Sequence, residues 1–306
     1  MQTITALTGA TFRAAAFLTR LSISSRHFEG HGRVASVQSP EKPAGDPLTD
    51  AGNAAAPAAR PPGQDGPFDD EPAGRPAPYR LGDDAHAFPL VGLIAAAPAA
   101  LLLLVLPALG LSPLVCGILA LAALVAMTGA LHEDGLADVA DGLGGHHRRE
   151  RALEIMHDSR VGSYGAIALV LSLGLRAALL AELCATRPVA AALAIIAASA
   201  ASRGAMAAFW GATPPATGTG LAARAGQPSR DPALKSLALG AALALALVLP
   251  VAGFPSVAAA IALPALALIL FRRFVIRRIG GQTGDCLGAA QQLCEIAVLT
   301  GLAMGT

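Results

Sequence analysis

The stretch LHEDGLADVADGLGG at 131–145 holds four acids within nine residues, Glu133, Asp134, Asp138 and Asp141. Asp134, Asp138 and Asp141 stand at i, i+4 and i+7. In a helix that spacing gathers them in a narrow arc of one face. Three carboxylates so placed repel one another unless a cation lies among them. Hard oxygen ligands suit Mg²⁺ or Mn²⁺, and Mg²⁺ commonly keeps water and binds substrate phosphates as well. Two such ions can clamp the attacking and leaving oxygens of a phosphoryl transfer. Glu133 points off that face and reads as a ligand from a helix end or as a base. Gly135 permits close approach of a ligand or backbone, and Gly142, Gly144 and Gly145 end the helix. A merely solvated Asp-rich loop is the plain alternative, and the regular spacing speaks against it.

Two further polar islands extend this cluster. IMHDSRVGSYG at 155–165 offers Asp158 as a fourth metal ligand beside Asp134, Asp138 and Asp141. It also offers Arg160, whose forked guanidinium suits a phosphate oxygen. Ser159 and Ser163 precede an apolar run, where helix N-terminal amides favour anions. Helix capping is the competing role for this segment. GGQTGDCLGAA at 280–290 brings Thr283 and Asp285 toward the same aqueous cavity, with a structural turn as its competitor. Catalytic candidates are therefore Asp141, Asp158, Arg160 and Glu133. Substrate-binding candidates are Arg160, Ser163, Thr283, Asp285 and Arg203. Glu295, Arg176 and Arg203 lie inside apolar runs, where an ionisable group is costly and functional by default. The two arginines read equally as partners of Glu295 or as phosphate ligands. His132, His146, His147 and His157 read as loop residues, with His132 and His157 retained as acid–base alternatives.

These islands must be positioned by membrane helices. Of 306 residues, 54% are hydrophobic and only 14% charged, and the mean hydropathy is +0.56. A soluble domain carries about 25% charged residues. Ala and Leu dominate the apolar set, which favours helices over a barrel of alternating strands with aromatic girdles. A net charge of +1 excludes a nucleic-acid footprint. A crossing helix takes about 20 apolar residues. Candidate spans are 87–107, 111–131, 163–183, 188–210, 233–252, 254–271 and 287–304. The expected fold is an all-α polytopic bundle of about seven spans. Arg148, Arg149, Arg151, Arg160, Arg224, Arg230, Lys235, Arg272, Arg273, Arg277 and Arg278 fall on the side of the acidic segment, and only Arg187 falls opposite. The positive-inside bias places the acids in the cytoplasm.

Three zones are expected. Residues 1–24 form an amphipathic interfacial helix, with Phe12, Phe17, Leu18 and Leu21 on one face, retained rather than cleaved as a signal peptide. Residues 25–85, rich in Pro, Gly, Ala and Asp, bury too little to order themselves. Residues 86–306 form the catalytic membrane domain. Cys116, Cys184, Cys286 and Cys294 form no CxxC pair and read as buried thiols.

LHEDGLADVADGLGG followed by RALEIMHDSRVGSYGAIALVL resembles the cobalamin synthase family, the adenosylcobinamide-GDP ribazoletransferases. FLTRL at 17–21, FPLVG at 88–92, SRGAMA at 202–207 and GGQTGDCLGAAQQLCE at 280–295 are similar to further segments of that family. In the family FLTRL and FPLVG lie much closer together. The Pro-rich stretch here reads as a lineage insertion, and Ser22-Ile23-Ser24 stands where the family often has proline. The resemblance implies an Mg²⁺-dependent enzyme of the inner membrane. It would join adenosylcobinamide-GDP to α-ribazole, or to α-ribazole 5′-phosphate, with release of GMP. The lipid bilayer is its surroundings, and a homo-oligomer is compatible with the sequence. A CDP-alcohol phosphotransferase is the nearest enzymatic competitor, but its DG-xx-AR segment carries an Arg that is missing from Asp134-Gly-Leu-Ala-Asp138. A transporter would suit the intramembrane charges, yet no inverted repeat is visible and the acids gather at one face.

Overall fold

The computed structural model describes residues 2–23, 79–145, 148–218 and 225–304. The chain divides into two units, residues 1–27 with 80–306, and residues 28–79. Of the second, only Tyr79 is among the described residues. The first unit is helical. Its elements are Gln2–Leu18 (α1), a 3₁₀ helix Leu81–Ala87, Phe88–Ala108 (α2), Pro113–Thr128 (α3), Leu131–Gly144 (α4) and Arg149–Met156 (α5). They continue with Ser163–Thr186 (α6), Pro188–Ala212 (α7), Arg230–Val248 (α8), Phe254–Ile279 (α9) and Gly284–Ala303 (α10). The only β-type pairing among the described residues is an isolated bridge between Pro215 and Gln282.

Among the described residues six helices are long and apolar enough to cross a membrane: α2 with the 3₁₀ turn before it, α6, α7, α8, α9 and α10. The expected all-α membrane bundle is therefore observed, and the count of about seven is reached if α3 and α4 are taken as one broken span. The candidate span over 111–131 appears as helix α3, which ends short of 131. Helix α3 has 16 residues, roughly 24 Å at 1.5 Å each, short of a hydrocarbon core of about 30 Å. It stops at Thr128 because Gly129 and Ala130 both take left-handed backbone, with φ of 63° and 60°. The chain then turns by 91° into α4. Helix α4 thus runs from Glu133, which reaches Arg176 midway along α6, toward Asp141, which meets the start of α6 at Gly162 and Gly165, and it carries the acidic motif along that path.

The core is mostly Ala and Leu. Ala95, Ala99, Leu103, Leu121, Leu124, Leu180, Ile195 and Leu299 pack α2, α3, α6, α7 and α10 together. Small side chains let these backbones approach closely, which is how apolar helices gain packing in lipid. A second cluster, around Leu136, Val139, Leu143, Met156, Phe271 and Val275, seats α4 and α5 on α9 and α10. Phe209 meets Phe271 there at 5.6 Å between ring centroids.

Helix α1 packs on α2 and α7 through Ala14, Ala15 and Leu18, against Phe88, Val91 and Trp210. Of the four expected stripe residues only Leu18 is buried; Phe12 is 37% and Leu21 38% exposed. Small residues form the packed face because they let α1 lie close to Phe88 and Trp210, which stack at 6.3 Å. Arg13 grips Asp84 with two bonds, Nε to Oδ2 at 2.7 Å and Nη2 to Oδ1 at 2.8 Å. The packed body therefore begins at Arg80 rather than at 86, since Gly82, Asp84 and Ala85 are buried. The remainder of the stretch read as disordered, up to residue 78, lies outside the described residues, as do His146, His147 and Arg224.

Candidate active site

Helix α4 presents its acids toward one end of the bundle. Asp134 is exposed, and Asp138 and Asp141 are half-buried. On the opposite side of α4, His132, Glu133, Leu136, Val139 and Leu143 are buried. The face assigned to the three aspartates is thus the one left open. Gly135 brings α10 against this helix: a Cβ there would lie 2.8 Å from the Asp285 carbonyl oxygen. That close crossing sets Asp285, on the first turn of α10, beside the aspartates of α4. Partial burial first, and then the charges of Asp285, Asp134 and Asp141, push the Asp138 carboxyl up to about 7. The cluster is therefore an electrostatic unit assembled from two helices.

Asp141 has a different engagement. Its Oδ2 accepts from the Gly162 N–H at 2.7 Å and its Oδ1 from the Gly165 N–H at 2.8 Å. Of the amides at the start of α6, expected to hold an anion of the substrate beside Ser163, that of Gly165 and that of Gly162 just before the helix bond a side chain of the chain itself. Ser163 is exposed next to them. Asp158 and Arg160 form an exposed forked pair, Nη2 to Oδ2 at 2.6 Å and Nε to Oδ1 at 3.0 Å. The guanidinium and the Arg160 backbone N–H hold the Asp158 carboxyl down at about 2, and the same pair raises the Arg160 guanidinium. Thr283 is the N-cap of α10: its hydroxyl accepts from the Cys286 N–H at 3.4 Å and donates to Asp285 at 3.3 Å.

Glu133 and Arg203 are not at this open face. Glu133 is 5% and Arg203 1% exposed, and both belong to a polar network beneath it. Arg176 donates to Glu133 at 3.1 Å and to Glu295 at 2.9 Å. Arg203 donates to the Ser199 carbonyl at 3.1 Å and also bonds its hydroxyl. His132 is buried close to Arg203 and Arg176. Sequence reading named Glu295, Arg176 and Arg203 but missed Gln291, Gln292, Ser172 and Ser202, which complete this network. Two adjacent glutamines in an apolar run were the available signal, because uncharged polar groups in a span also need partners.

Magnesium can be tested against these donors. Among the described residues no three His, Cys, Asp or Glu side chains converge as a ready metal cage. Asp141 and Asp158 already bond amides and Arg160, which removes two of the four expected ligands from immediate availability. The side chains of Asp134 and Asp138 form no hydrogen bond with another described residue. A pair of free carboxylates fits Mg²⁺ held by one or two protein oxygens, with water and phosphate oxygens supplying the rest. The mutual repulsion that raises Asp138 is what a cation would relieve. A small crevice at the other end of the bundle, lined by Leu183, Arg187, Val251 and Ser256 among others, contains no acid and lies away from this chemistry.

A model of the cobalamin-5-phosphate synthase family matches residues 68–303. The adenosylcobinamide-GDP ribazoletransferase of Azorhizobium caulinodans is 52% identical over 226 residues, covering 74% of this chain and 86% of that protein. The protein of the same name from Sinorhizobium medicae is 42% identical over 296 residues, 95% of each chain, so the alignment takes in most of the Pro-rich stretch. No solved structure gives a significant match. With 236 residues matched by the family model, including α4, the Asp158–Arg160 loop and α10, the chain belongs to the cobalamin-5-phosphate synthase family.

Proposed function

We propose that the chain is an adenosylcobinamide-GDP ribazoletransferase acting near the end of cobalamin biosynthesis. The observation that carries this reading is the 42% identity over 95% of both chains with a relative of that name. The acidic face supports it. A hydroxyl of α-ribazole, or of its 5′-phosphate, attacks the β-phosphate of adenosylcobinamide-GDP. A P–O bond forms, the anhydride bond to the α-phosphate breaks, GMP leaves, and the hydroxyl loses its proton.

Bound Mg²⁺ would offset charge on the pyrophosphate and on the departing phosphate. Asp134 and Asp138 would hold it, with Asp285 facing them from α10. Asp141 keeps the start of α6 in place through Gly162 and Gly165 and serves the site by shaping it. Arg160 is exposed and can exchange its carboxylate for a phosphate of similar geometry. That exchange frees Asp158, which then accepts the hydroxyl proton, while Arg160 stabilises the charge that develops in transfer. The site lies at the membrane face that carries Arg148, Arg149, Arg151, Arg272, Arg273, Arg277 and Arg278. The positive-inside bias supports a cytoplasmic face for the site, and the family resemblance supports the inner membrane.

Membranes containing the protein, supplied with adenosylcobinamide-GDP, α-ribazole and Mg²⁺, should release GMP and should stop when EDTA is added. Absence of Mg²⁺-dependent GMP beside an active control enzyme overturns the reading.

A further inference from the structure

We infer that Glu133 is a positioning residue, which fixes the acidic helix against α6 and α10 through the buried guanidinium of Arg176 and takes no proton from substrate. This deepens the reading of the acidic face as the reaction site and rests on it. Arg176 is 0% exposed. One of its terminal nitrogens reaches Glu133 Oε1 on α4 at 3.1 Å, and the other reaches Glu295 Oε1 on α10 at 2.9 Å. One side chain of α6 thus ties together the three helices that supply the acidic face: α4 with Asp134 and Asp138, α6 with the amides that hold Asp141, and α10 with Asp285.

The rest of the network serves the same two acids. Gln292 donates to Glu133 at 3.0 Å, and Gln291 donates to Glu295 at 2.8 Å and to Ser202 at 3.0 Å. Gln292 also donates to Gln291 at 2.9 Å, which links the two acids through uncharged groups. Arg203 stands close enough for its charge to act on Glu295, Glu133 and Arg176. The network therefore holds two guanidiniums and two carboxylates, a neutral set in surroundings where an unmatched charge is expensive.

Geometry excludes a base. Glu133 Oε1 is taken up by Arg176 and Gln292. Its other oxygen, Oε2, is also buried and has no hydrogen-bond partner among the described residues. It is closed off from the open side of α4. Glu133 consequently acts through position: it sets the rotation and depth of α4, and with them the Asp134 and Asp138 carboxylates relative to Asp285.

Charge compensation tests this. Glu133→Gln, Arg176→Gln and the double variant are purified in detergent, and thermal unfolding is followed beside GMP release. Glu133→Gln leaves a buried charge unmatched and should lower the unfolding midpoint by roughly ten degrees. It should cut turnover by roughly a hundredfold, as misplacement of a site by an ångström does. The double variant restores neutrality, so its midpoint should return to within a few degrees of the parent, and most of the lost turnover should return with it. A double variant as stable as the parent but as inactive as Glu133→Gln makes Glu133 chemical and overturns the inference. So do midpoint losses that simply add. If Glu133→Gln does not fold, recovery of a folded protein in the double variant supports the brace, and failure of both rejects it. Should the parent itself release no GMP, the proposed reaction fails, while the unfolding midpoints still decide the brace.

Discussion

The carboxylate of Asp141 accepts the backbone N–H of Gly165 at 2.8 Å, and with its other oxygen that of Gly162. An acid that the helical spacing groups with Asp134 and Asp138 thereby holds the start of α6. A Cβ on Gly165 would collide with this carboxylate and come within 3.0 Å of the Ala137 carbonyl oxygen. Asp141→Asn keeps one acceptor for the two amides. It should cost about 1 kcal/mol of stability and less than about tenfold in rate. Thermal unfolding and GMP release on the same preparation check both numbers. A folded Asp141→Asn protein with no Mg²⁺-dependent turnover would return Asp141 to the metal shell.

Asp138 should behave in the opposite way. Its carboxyl is raised from 3.8 to about 7 by burial and by Asp285, Asp134 and Asp141. Between those values the folded chain holds a proton that the unfolded chain releases, so without Mg²⁺ the fold loses stability as pH rises from about 4 through about 7. Asp138→Asn removes that dependence and should be at least as stable as the parent near neutral pH, yet inactive. A metal ion competes with the same proton. The Mg²⁺ concentration for half-maximal turnover of the parent should therefore fall as pH is raised from about 6 to about 8. A half-saturating concentration independent of pH over that range would separate Asp138 from the metal.

The acidic face was legible because period and chemistry agree in α4: the i, i+4, i+7 carboxylates fall opposite buried Leu136, Val139 and Leu143. The spans were legible because they need only length and apolarity. The 91° turn after Thr128 was not, because it depends on Ala130 taking a left-handed backbone that the residue type alone disfavours. The hold of Asp141 on the start of α6 depends on a partner 24 residues away, which no local spacing reveals. Glu133 reads as a helix-end ligand or base because it points off the aspartate face, and Arg203 as a phosphate ligand or a partner of Glu295 because a charge inside a span signals function. That signal does not say on which side of a helix the partner lies. For Arg176 the sequence leaves pairing with Glu295 and phosphate binding open, and the structure shows the pairing.

Arg160 and Asp158 are paired at 2.6 Å while their side chains are 86% and 37% exposed. Such a pair contributes little to stability and can open when a phosphate arrives. Arg160→Lys keeps the charge and loses the fork. It should leave the unfolding midpoint unchanged and lower turnover by about a hundredfold. Asp158→Asn should also fold normally and lose turnover, with little change in the substrate concentration for half-saturation if Asp158 acts on the proton alone. Unaltered GMP release in either variant removes that residue from the transfer step.

Gly135 sits at the crossing that joins the two halves of the acidic face. A Cβ at Gly135 would stand 2.8 Å from the Asp285 carbonyl oxygen and 3.0 Å from its Cα, both backbone atoms that cannot rotate away. Gly135→Ala therefore has to push α4 from α10 by a few tenths of an ångström or more. Overpacking of this kind costs about 1–3 kcal/mol, offset in part by the better helix propensity of alanine, worth up to about 1 kcal/mol. The net loss of stability should be small. The loss of function should be large, because the shift acts on the separation of Asp134 and Asp138 from Asp285. More Mg²⁺ should be needed for half-maximal turnover, and saturating Mg²⁺ should restore part of the rate. Asp285→Asn in the same background should then add little, since the contact it removes has already been weakened. Titration of GMP release with Mg²⁺ in the two single variants and the double variant measures this. If the losses multiply in full, α4 and α10 contribute to catalysis independently, and the close crossing at Gly135 serves packing alone.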